Sequence, residues 1–421
     1  MTTRPGIHEA PAVPDVFDPR LYARGVPHDR YRVLRDHHPV SWQAEPAVLG
    51  WPEGPGFWAV TRHADVVRVL KDPSAYSSHL GATQIRDPDP ADLPFIRAMM
   101  LNQDPPAHGR LRRLVSRAFT PRRVETFERA ARARAVSLLT QAVAAHDVVD
   151  LVAAVTDDYA LLNLADLLGV PESDRSLMLD WTRRVIGYQD PDDAAEADES
   201  PGGGPPVNPR SPAALADMFA YADELAAHKR AHPADDVMTT LATDPELTAP
   251  ERQMFFFLLT IAGNDTVRSA APGALALLAA DPAAYRQLRT GAVDPTTATD
   301  ELLRRHPPVL SFRRTATEDT RLTGTRIARG DKVVVLHASA NHDERVWPDP
   351  FTLDLTRTPN PHVSFGDGPH VCLGAHFARL QLRVLYEETG RILPELSLAG
   401  APRRLVSNFI NGIKELPVHV G

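Results

Sequence analysis

The sequence predicts a mainly α protein with small β sheets. Ala, Leu, Arg and Glu recur with apolar residues three to four positions apart, the spacing of one helical face, in 123–144, 212–229 and 378–393. Strand-like patterns are confined to two short regions, 56–61 and 320–336. Helices are therefore expected to dominate, with small sheets near the start and in the last third.

The two strand-like regions and one apolar segment define the remaining elements. Residues 56–61 alternate weakly, and Gly324 and Gly330 mark turns between short β runs in 320–336. The most apolar segment, 254–263, has the length of a buried helix. Because proline lacks a backbone N–H, Pro272-Gly273 is expected to kink or end that helix.

Composition excludes several classes of protein. The chain has 43% hydrophobic and 24% charged residues, which is typical of a soluble globular protein with a large core. No segment resembles a signal peptide or an apolar bilayer span. The net charge of −8 argues against a nucleic-acid binder. With a single cysteine and no export signal, we expect a cytoplasmic protein that is not bound to a membrane.

Two segments are expected to be irregular. The first, 1–30, is polar and proline-rich, and we expect an extended N-terminal segment. The second, 190–212, holds six acidic residues followed by Ser-Pro-Gly-Gly-Gly-Pro-Pro, which indicates a flexible loop between two helices. This loop is interpreted either as a lid over a buried pocket or as a tolerated surface insertion.

Cys372 lies in the pattern Phe365-x-x-Gly368-x-x-x-Cys372-x-Gly374. A lone thiol cannot form an intrachain disulfide, so it is either structural packing or chemistry. The glycines indicate a backbone bent closely around something. The pattern resembles the haem-binding loop of cytochrome P450 enzymes of the soluble bacterial type. The resemblance runs from residue 56 to the C-terminus and implies a single P450 domain over 1–421.

The resemblance implies how the haem is held. Cys372 is the thiolate ligand of the iron, while the loop backbone and Phe365 tune the electron density on its sulfur. The propionates are expected to meet a planar guanidinium fork on a strand and side chains of an i, i+4 helical pair. The cofactor-binding residues predicted in this way are His108, Arg112, Ala262, Arg314, Phe365, Gly366, His370, Cys372 and Gly374. If Arg314 lies on a strand, Arg313 points to the opposite face.

Ala262-Gly-Asn-Asp265-Thr266 matches the family's acid–alcohol pair above the iron. There Asp265 and Thr266 are the predicted catalytic residues, which deliver protons to the reacting oxygen. The alternative is a helix N-cap.

Two further motifs have supporting roles in the family. Glu301-x-x-Arg304 matches a salt-bridged helical pair that an arginine, here Arg357, joins to support folding and haem retention. Arg110, Arg113 and Arg117 form a stripe on another face of the helix that carries His108. In the family this stripe meets an acidic ferredoxin. The alternative is a solvated basic face.

The resemblance implies a monooxygenase that hydroxylates or epoxidises a hydrophobic small molecule. The implied cofactors are haem b and O2, with electrons from NAD(P)H through a ferredoxin reductase and a ferredoxin. We expect a monomer. The expected substrate is a steroid, a terpenoid or a branched lipid. Residues near the haem, among them Arg268 and Asn360-Pro-His362, resemble the actinobacterial branch that oxidises sterols, steroids and methyl-branched lipids. The pocket candidates are Met99, Met100, Leu259, Ala262, Leu310, Phe312 and Phe409, for each of which plain core packing is the alternative.

Other functions stay open at the level of the sequence. A tailoring oxidase of a macrolide, polyketide or other secondary metabolite has the same motifs. A second alternative is a haem enzyme that uses peroxide or works without O2. The Asp265-Thr266 pair argues against it, because such an enzyme would not need these residues for proton delivery. A non-enzymatic haem sensor or ligand-binding protein leaves both that pair and the arginine stripe unexplained.

Overall fold

The computed structural model describes residues 11–145, 147–186, 190, 192 and 211–420. Helices dominate the described part, which confirms the predicted fold class. The α-helices are α1 His28–His37, α2 His63–Lys71, α3 Leu93–Ala98, α4 Ala107–Ser116, α5 Pro121–Glu125, α6 Glu128–Ala145, α7 Asp157–Leu168, α8 Arg175–Ile186, α9 Ala216–Ala231, α10 Val237–Thr243, α11 Ala249–Ala280, α12 Pro282–Arg289, α13 Pro295–Arg305, α14 His337–Ala340 and α15 Ala375–Ile392.

The strands form small sheets. They are β1 Val40–Glu45, β2 Gly54–Val60, β3 Tyr76–Ser77, β4 Val148–Asp150, β5 Ser311–Ala316, β6 Thr320–Leu322, β7 Thr325–Ile327, β8 Lys332–Leu336, β9 Ser397–Leu398, β10 Arg403–Arg404, β11 Ile413–Glu415 and β12 Pro417–His419. The largest sheet has the order β1-β2-β8-β5-β3, with β2 and β8 parallel and the other neighbours antiparallel. The smaller sheets are β4-β12-β9, β10-β11 and β6-β7.

The predicted strands and helices are where the patterns place them. Residues 56–61 overlap β2, and 320–336 contains β6, β7 and β8. Gly324 and Gly330 adopt φ of +83° and +91°, a left-handed backbone that glycine adopts without the steric cost of a Cβ. The predicted helix over 123–144 is divided between α5 and α6.

Helix α11 is the central element of the fold. It begins with a capping box, in which the Thr248 hydroxyl accepts from the Glu251 backbone N–H and the Glu251 carboxylate accepts from the Thr248 N–H. It packs against α7, α8 and α15 in the main hydrophobic core, and Phe255 and Phe256 are almost fully buried there. This burial holds one end of the helix to the core on several sides.

The prediction at Pro272 was a kink or an end of the helix, and the structure contradicts the second of these outcomes. α11 continues through Pro272 to Ala280, and the residues after Pro272 are largely buried. A proline inside a helix costs about 3 kcal/mol, whereas burial of each large apolar side chain contributes about 1.5–3 kcal/mol. The neighbouring Gly273 leaves space for the His306 ring, which would lie 2.0 Å from a Cβ at that position. Packing of the second half of α11 therefore outweighs the missing hydrogen bond.

The two segments expected to be irregular are only partly described. In the described portion of 1–30, Asp18 caps a 3₁₀ helix at Pro19–Arg24 and α1 begins at His28, so this portion is not extended throughout. The predicted flexible loop 190–212 lies outside the described residues, apart from positions 190, 192, 211 and 212. No described helix is long and apolar enough to cross a membrane.

Candidate active site

A cavity of about 210 Å³ lies between α11 and the loop 365–374 that leads into α15. One face of α11 lines it with residues three or four positions apart, since Leu259, Ala262, Thr266 and Ala270 all border the cavity. Cys372 borders it from the loop. The structure thus places the predicted thiolate and the predicted hydroxyl on the lining of one cavity.

The backbone of the loop is bent back upon itself beside Cys372. The Cys372 N–H donates to the Phe365 carbonyl at 2.9 Å, and the Gly366 N–H donates to the Val363 carbonyl at 2.9 Å. Gly366 and Gly368 both have a φ of +69°. A Cβ on Gly368 would lie 2.5 Å from the backbone carbonyl oxygen of Leu70 in α2. Glycine is therefore required at 368 both by conformation and by this close approach.

The environment of the Cys372 sulfur suits a metal-bound thiolate. The thiol is open to the cavity but otherwise enclosed by protein atoms, and this burial raises its pKa. A hydrogen bond from the Gly374 backbone and the positive charges of Arg112 and Arg379 oppose the rise in pKa without cancelling it. An adjacent cation such as iron supplies the missing stabilisation, because metal ligation deprotonates a thiol. The residues present therefore fit a haem iron at this position.

Four predicted propionate partners lie together at one side of the cavity. The rings of His108 and His370 are 4.0 Å apart between centroids. Arg112 donates to the Val371 carbonyl at 2.5 Å, and the buried Arg314 donates to the Arg313 carbonyl at 2.9 Å. Within the described residues, no carboxylate forms a salt bridge with either Arg112 or Arg314.

The electrostatics of this cluster favour an anionic ligand. Burial lowers the pKa of Arg314 to about 10. Burial, with the nearby Arg314, His108 and Arg112, lowers the pKa of His370 to about 3. A pair of carboxylates would offset this excess of positive charge through charge-assisted hydrogen bonds. The cluster therefore fits the two propionates of a haem.

The two predicted proton-relay residues differ in their access to the cavity. Thr266 lines it and donates from Oγ1 to the Ala262 carbonyl at 2.8 Å. Asp265 is 5% exposed and does not line it. Because consecutive helical residues point about 100° apart, Asp265 lies off the face that carries Thr266. In this arrangement Thr266 is the group positioned to contact a bound molecule directly.

The predicted pocket residues divide into two groups. Met100, Leu259, Ala262 and Phe312 line the cavity, whereas Met99, Leu310 and Phe409 do not. Leu310 is 1% exposed and packs in a separate core beneath the sheet, and Met99 packs against the main core. Phe409 packs edge-to-face on Phe312, with 5.8 Å between the two ring centroids. Core packing, the alternative considered for each, therefore describes Leu310 and Met99.

A family model for cytochrome P450 matches residues 296–391. A steroid C26-monooxygenase of Rhodococcus jostii is 36% identical over 96% of this chain and 84% of its own length. A methyl-branched lipid omega-hydroxylase of Mycobacterium tuberculosis is 38% identical over 92% of this chain and 90% of its own. The chain belongs to the cytochrome P450 family. Among solved P450 structures, Mycobacterium marinum CYP268A2 in complex with pseudoionone has a TM-score of 0.81 at 35% identity, over 93% of this chain and 94% of its own.

Membership of the P450 family settles the coarse function. The protein is a P450 monooxygenase, an oxidoreductase that uses haem and O2 and takes reducing equivalents from a redox partner. The predicted resemblance to the actinobacterial branch is confirmed by these relatives. A non-enzymatic haem sensor is thereby set aside.

The predicted structural triad is assembled in the interior. Glu301 and Arg304 are both fully buried in α13 and lie 2.7 Å apart, and Arg357 Nε lies 3.3 Å from Glu301 Oε1. The remaining donors of Arg304 bond to the carbonyls of Asn341 and Pro350 at 2.8 and 2.9 Å. The triad joins α13 to the irregular chain that precedes the loop 365–374.

The arginine stripe is exposed, but each of its arginines is paired with a carboxylate. Arg110 Nη1 lies 2.6 Å from Glu251 Oε1. Arg113 lies 3.9 Å from Glu246, and Arg117 lies 3.8 Å from Asp244. Each arginine thus faces a carboxylate of the segment 244–251, which offsets the basic potential expected to attract a ferredoxin.

The sequence reasoning missed part of the cavity wall. Ala270 continues the four-residue spacing of Ala262 and Thr266, and Gly263 and Val267 line the cavity from the adjoining face of α11, so the helical period could have found them. Leu164, Val309 and Gln381 come from other elements. Their places depend on how those elements pack, and no local pattern marks them.

The burial of His337 beside the cavity wall predicts that the stability of the fold depends on pH. Its ring centroid lies 5.5 Å from that of Phe312, and burial lowers its pKa from 6.5 to about 4. The folded state therefore binds this proton less well than the unfolded state. Stability is full above pH 6.5 and falls by about 1.4 kcal/mol per pH unit from this histidine as the pH drops towards 4.

We expect His337→Gln to reduce the dependence of the unfolding free energy on pH below 6.5 by about 1.4 kcal/mol per pH unit, the contribution of one proton. The measurement is urea unfolding between pH 7.5 and 5. The control is His232→Gln, at an exposed histidine, which should leave the slope unchanged. Equal slopes in both variants and the parent chain would show that His337 does not titrate as its burial requires.

Proposed function

We propose that this P450 hydroxylates or epoxidises a hydrophobic steroid or methyl-branched lipid at a hydrocarbon position. The observation that carries the proposal is the lining above the Cys372 loop. There Met100, Leu259, Ala262 and Phe312 present hydrocarbon, and Thr266 adds a hydroxyl. These four apolar side chains exclude water and carry no charge, so this part of the wall favours an apolar reacting end. The names of the relatives at 35–38% identity support the substrate class.

The chain's own residues would hold the cofactor, proposed to be haem b. Cys372 would ligate the iron, and the cluster of His108, Arg112, Arg314 and His370 would bind the propionates. A haem with a thiolate ligand supplies the cleavage of O2 that places one oxygen atom in the substrate and releases the other as water. The protein's contribution is to orient the apolar substrate over that site and to restrict water.

Thr266 and Asp265 would govern proton delivery. The Thr266 hydroxyl lines the cavity and already holds a hydrogen bond to the Ala262 carbonyl, which fixes its orientation. Asp265, buried on the same helix, would deliver protons towards Thr266. Together they would supply protons where the oxygen chemistry takes place.

The electrons are proposed to come from NAD(P)H through a ferredoxin reductase and a ferredoxin. The protein is proposed to be a monomer. The single cysteine supports a reducing cytoplasm as its location. Because Arg110, Arg113 and Arg117 are paired with carboxylates, a ferredoxin that uses them would have to compete with Asp244, Glu246 and Glu251.

The proposal is tested by a substrate-binding screen of the haem-loaded protein, read from the shift of the Soret band. Steroids with a branched side chain and methyl-branched fatty acids are expected to bind. Terpenes and macrocycles are the comparison classes. Product must then form in proportion to NADPH consumed with a ferredoxin and its reductase. Tighter binding and coupled turnover of a macrocycle would favour the secondary-metabolite alternative.

Thr266→Val is expected to uncouple electron use from product. The substitution keeps the shape of the side chain and removes its hydroxyl, and a positioned proton donor contributes about 10²–10⁴-fold. We expect product per NADPH to fall by at least about tenfold while hydrogen peroxide rises. Thr260→Val is the matched control, because Thr260 lies on the same helix, buried and away from the cavity. Unchanged coupling in Thr266→Val would contradict the relay role.

A further inference from the structure

The loop 79–102 is a connection between β3 and α4 that includes the short helix α3, and its two ends are fastened together. His79 Nδ1 lies 3.2 Å from the Asn102 carbonyl. Arg97 donates to the carbonyls of His79 and Leu80, both at 2.7 Å. Near its end this loop carries Met100 and Leu101, which line the cavity. The position of the loop therefore affects the shape of the cavity.

The middle of the loop is attached to the main sheet through Asp87. One carboxylate oxygen lies 2.5 Å from Arg313 Nη1 in β5, and the other lies 2.7 Å from Lys332 Nζ in β8. Arg313 and Lys332 side chains are 5% and 4% exposed. Both cations also donate to the Ile85 carbonyl, at 3.3 and 3.1 Å.

The charges of this attachment balance only when Asp87 is in place. Lys332 also pairs with Glu45 at 2.7 Å, so two buried cations face two carboxylates. The Asp87 side chain is 47% exposed, so water screens its side of the network, but the two cations are buried. Removing its charge would leave these buried cations with Glu45 as the only carboxylate, among the described residues, paired with either. Although burial alone would raise it, the pKa of Asp87 is lowered by the Arg313 and Lys332 charges.

Strand β5 connects this attachment to the active site. Side chains alternate along a strand, and Arg313 shares one face with Lys332 through the pairs Arg313↔Val334 and Thr315↔Lys332. Phe312 lies on the other face and lines the cavity. The backbone N–H of Arg313 donates to the Thr83 carbonyl at 2.8 Å, so the loop is also hydrogen-bonded directly to the backbone of β5.

We propose that Asp87 is a positioning residue for the substrate cavity, which holds the loop 79–102 against β5 and thereby fixes Met100 and Leu101 relative to Phe312. This inference rests on one part of the proposed function, namely that the substrate binds in this cavity. Asp87 does not itself line the cavity, so it acts on ligands through the loop.

The test compares two ligands of different size in the haem-loaded protein. Imidazole needs little of the cavity wall, whereas 4-phenylimidazole has a phenyl ring that must pack against it. In Asp87→Asn we expect roughly tenfold weaker binding of 4-phenylimidazole and less than about twofold change for imidazole, by Soret titration. Deuterium exchange of the backbone amides in 79–102 should also become faster.

Asp89→Asn is the matched control. Asp89 is in the same loop, is exposed, and accepts from the Ala91 N–H at 2.8 Å, which an asparagine can also do. This variant should bind both ligands as the parent does. If Asp87→Asn fails to fold with haem, Asp87→Glu replaces it in the test. The glutamate keeps the charge and lengthens the side chain by one methylene, so it should weaken 4-phenylimidazole binding in the same way but by less.

Two results would overturn the proposal. The first is that the Asp87 variant that folds matches Asp89→Asn in both affinities and in exchange. The second is an equal loss for imidazole and 4-phenylimidazole, which would indicate damage at the haem rather than at the wall. Neither measurement needs a substrate, so an error in the proposed steroid or lipid class would leave this result interpretable.

Discussion

Cys372→Ser is expected to abolish monooxygenase activity. The thiol borders the cavity, its burial leaves a thiolate dependent on an adjacent cation, and a serine hydroxyl does not ionise to replace it. Loss of a residue that only supports a metal ligand costs about 10–100-fold, so loss of the ligand itself should lower turnover by more than about 100-fold. The measurement is product formation, together with the carbon monoxide spectrum of the reduced protein.

The matched control for this substitution is His376→Gln. His376 lies four residues after Cys372 in the first turn of α15, is exposed and does not line the cavity. This variant should keep the thiolate spectrum and most of the activity. A serine variant that still showed a thiolate-type spectrum would exclude Cys372 as the ligand.

Arg304→Met is expected to destabilise the fold by about 3–5 kcal/mol, the cost of removing one partner from a buried ion pair. Glu301 would remain fully buried with Arg357 as its nearest cation at 3.3 Å, and the carbonyls of Asn341 and Pro350 would lose a donor. The measurement is the urea unfolding midpoint together with retention of haem.

Arg391→Met provides the comparison for Arg304→Met. Arg391 also forms an i, i+3 pair, with Glu388 at 2.6 Å, but its side chain is 63% exposed. An exposed pair contributes about 0–1 kcal/mol, so this variant should unfold almost as the parent does. Equal losses from both substitutions would mean that burial does not set the importance of the Glu301–Arg304 pair.

Local patterns were sufficient for most of the fold and for the bend of the loop that carries Cys372. The period of three to four residues located the long helices, and Gly324 and Gly330 located turns between strands. The spacing around Cys372 predicted a bent loop, and Gly368 lies where a Cβ would meet the Leu70 carbonyl. These predictions succeeded because a short segment of chain sets each of those conformations.

Predictions that depended on distant partners were less complete. The prediction that the helix could end at Pro272 was wrong, because burial of the following turns stabilises its continuation to Ala280. Leu310 and Met99 are apolar residues near the site, but the packing of the sheet and of α3 directs them into cores. The arginine stripe was expected to be a free basic surface, but the segment 244–251 places a carboxylate next to each of its arginines.

The sequence by itself located Cys372 and the glycines that bend its loop, and its resemblance to the P450 family implied the residues proposed to ligate the iron, bind the propionates and deliver protons. The bend follows from short spacing along the chain, which the folded structure does not alter. Only the tertiary structure decided which apolar residues line the cavity, which arginines remain uncompensated, and that Asp87 anchors the loop 79–102. These properties arise from contacts between segments far apart in the chain, such as Asp87 with Arg313 and Lys332, and no local pattern encodes them.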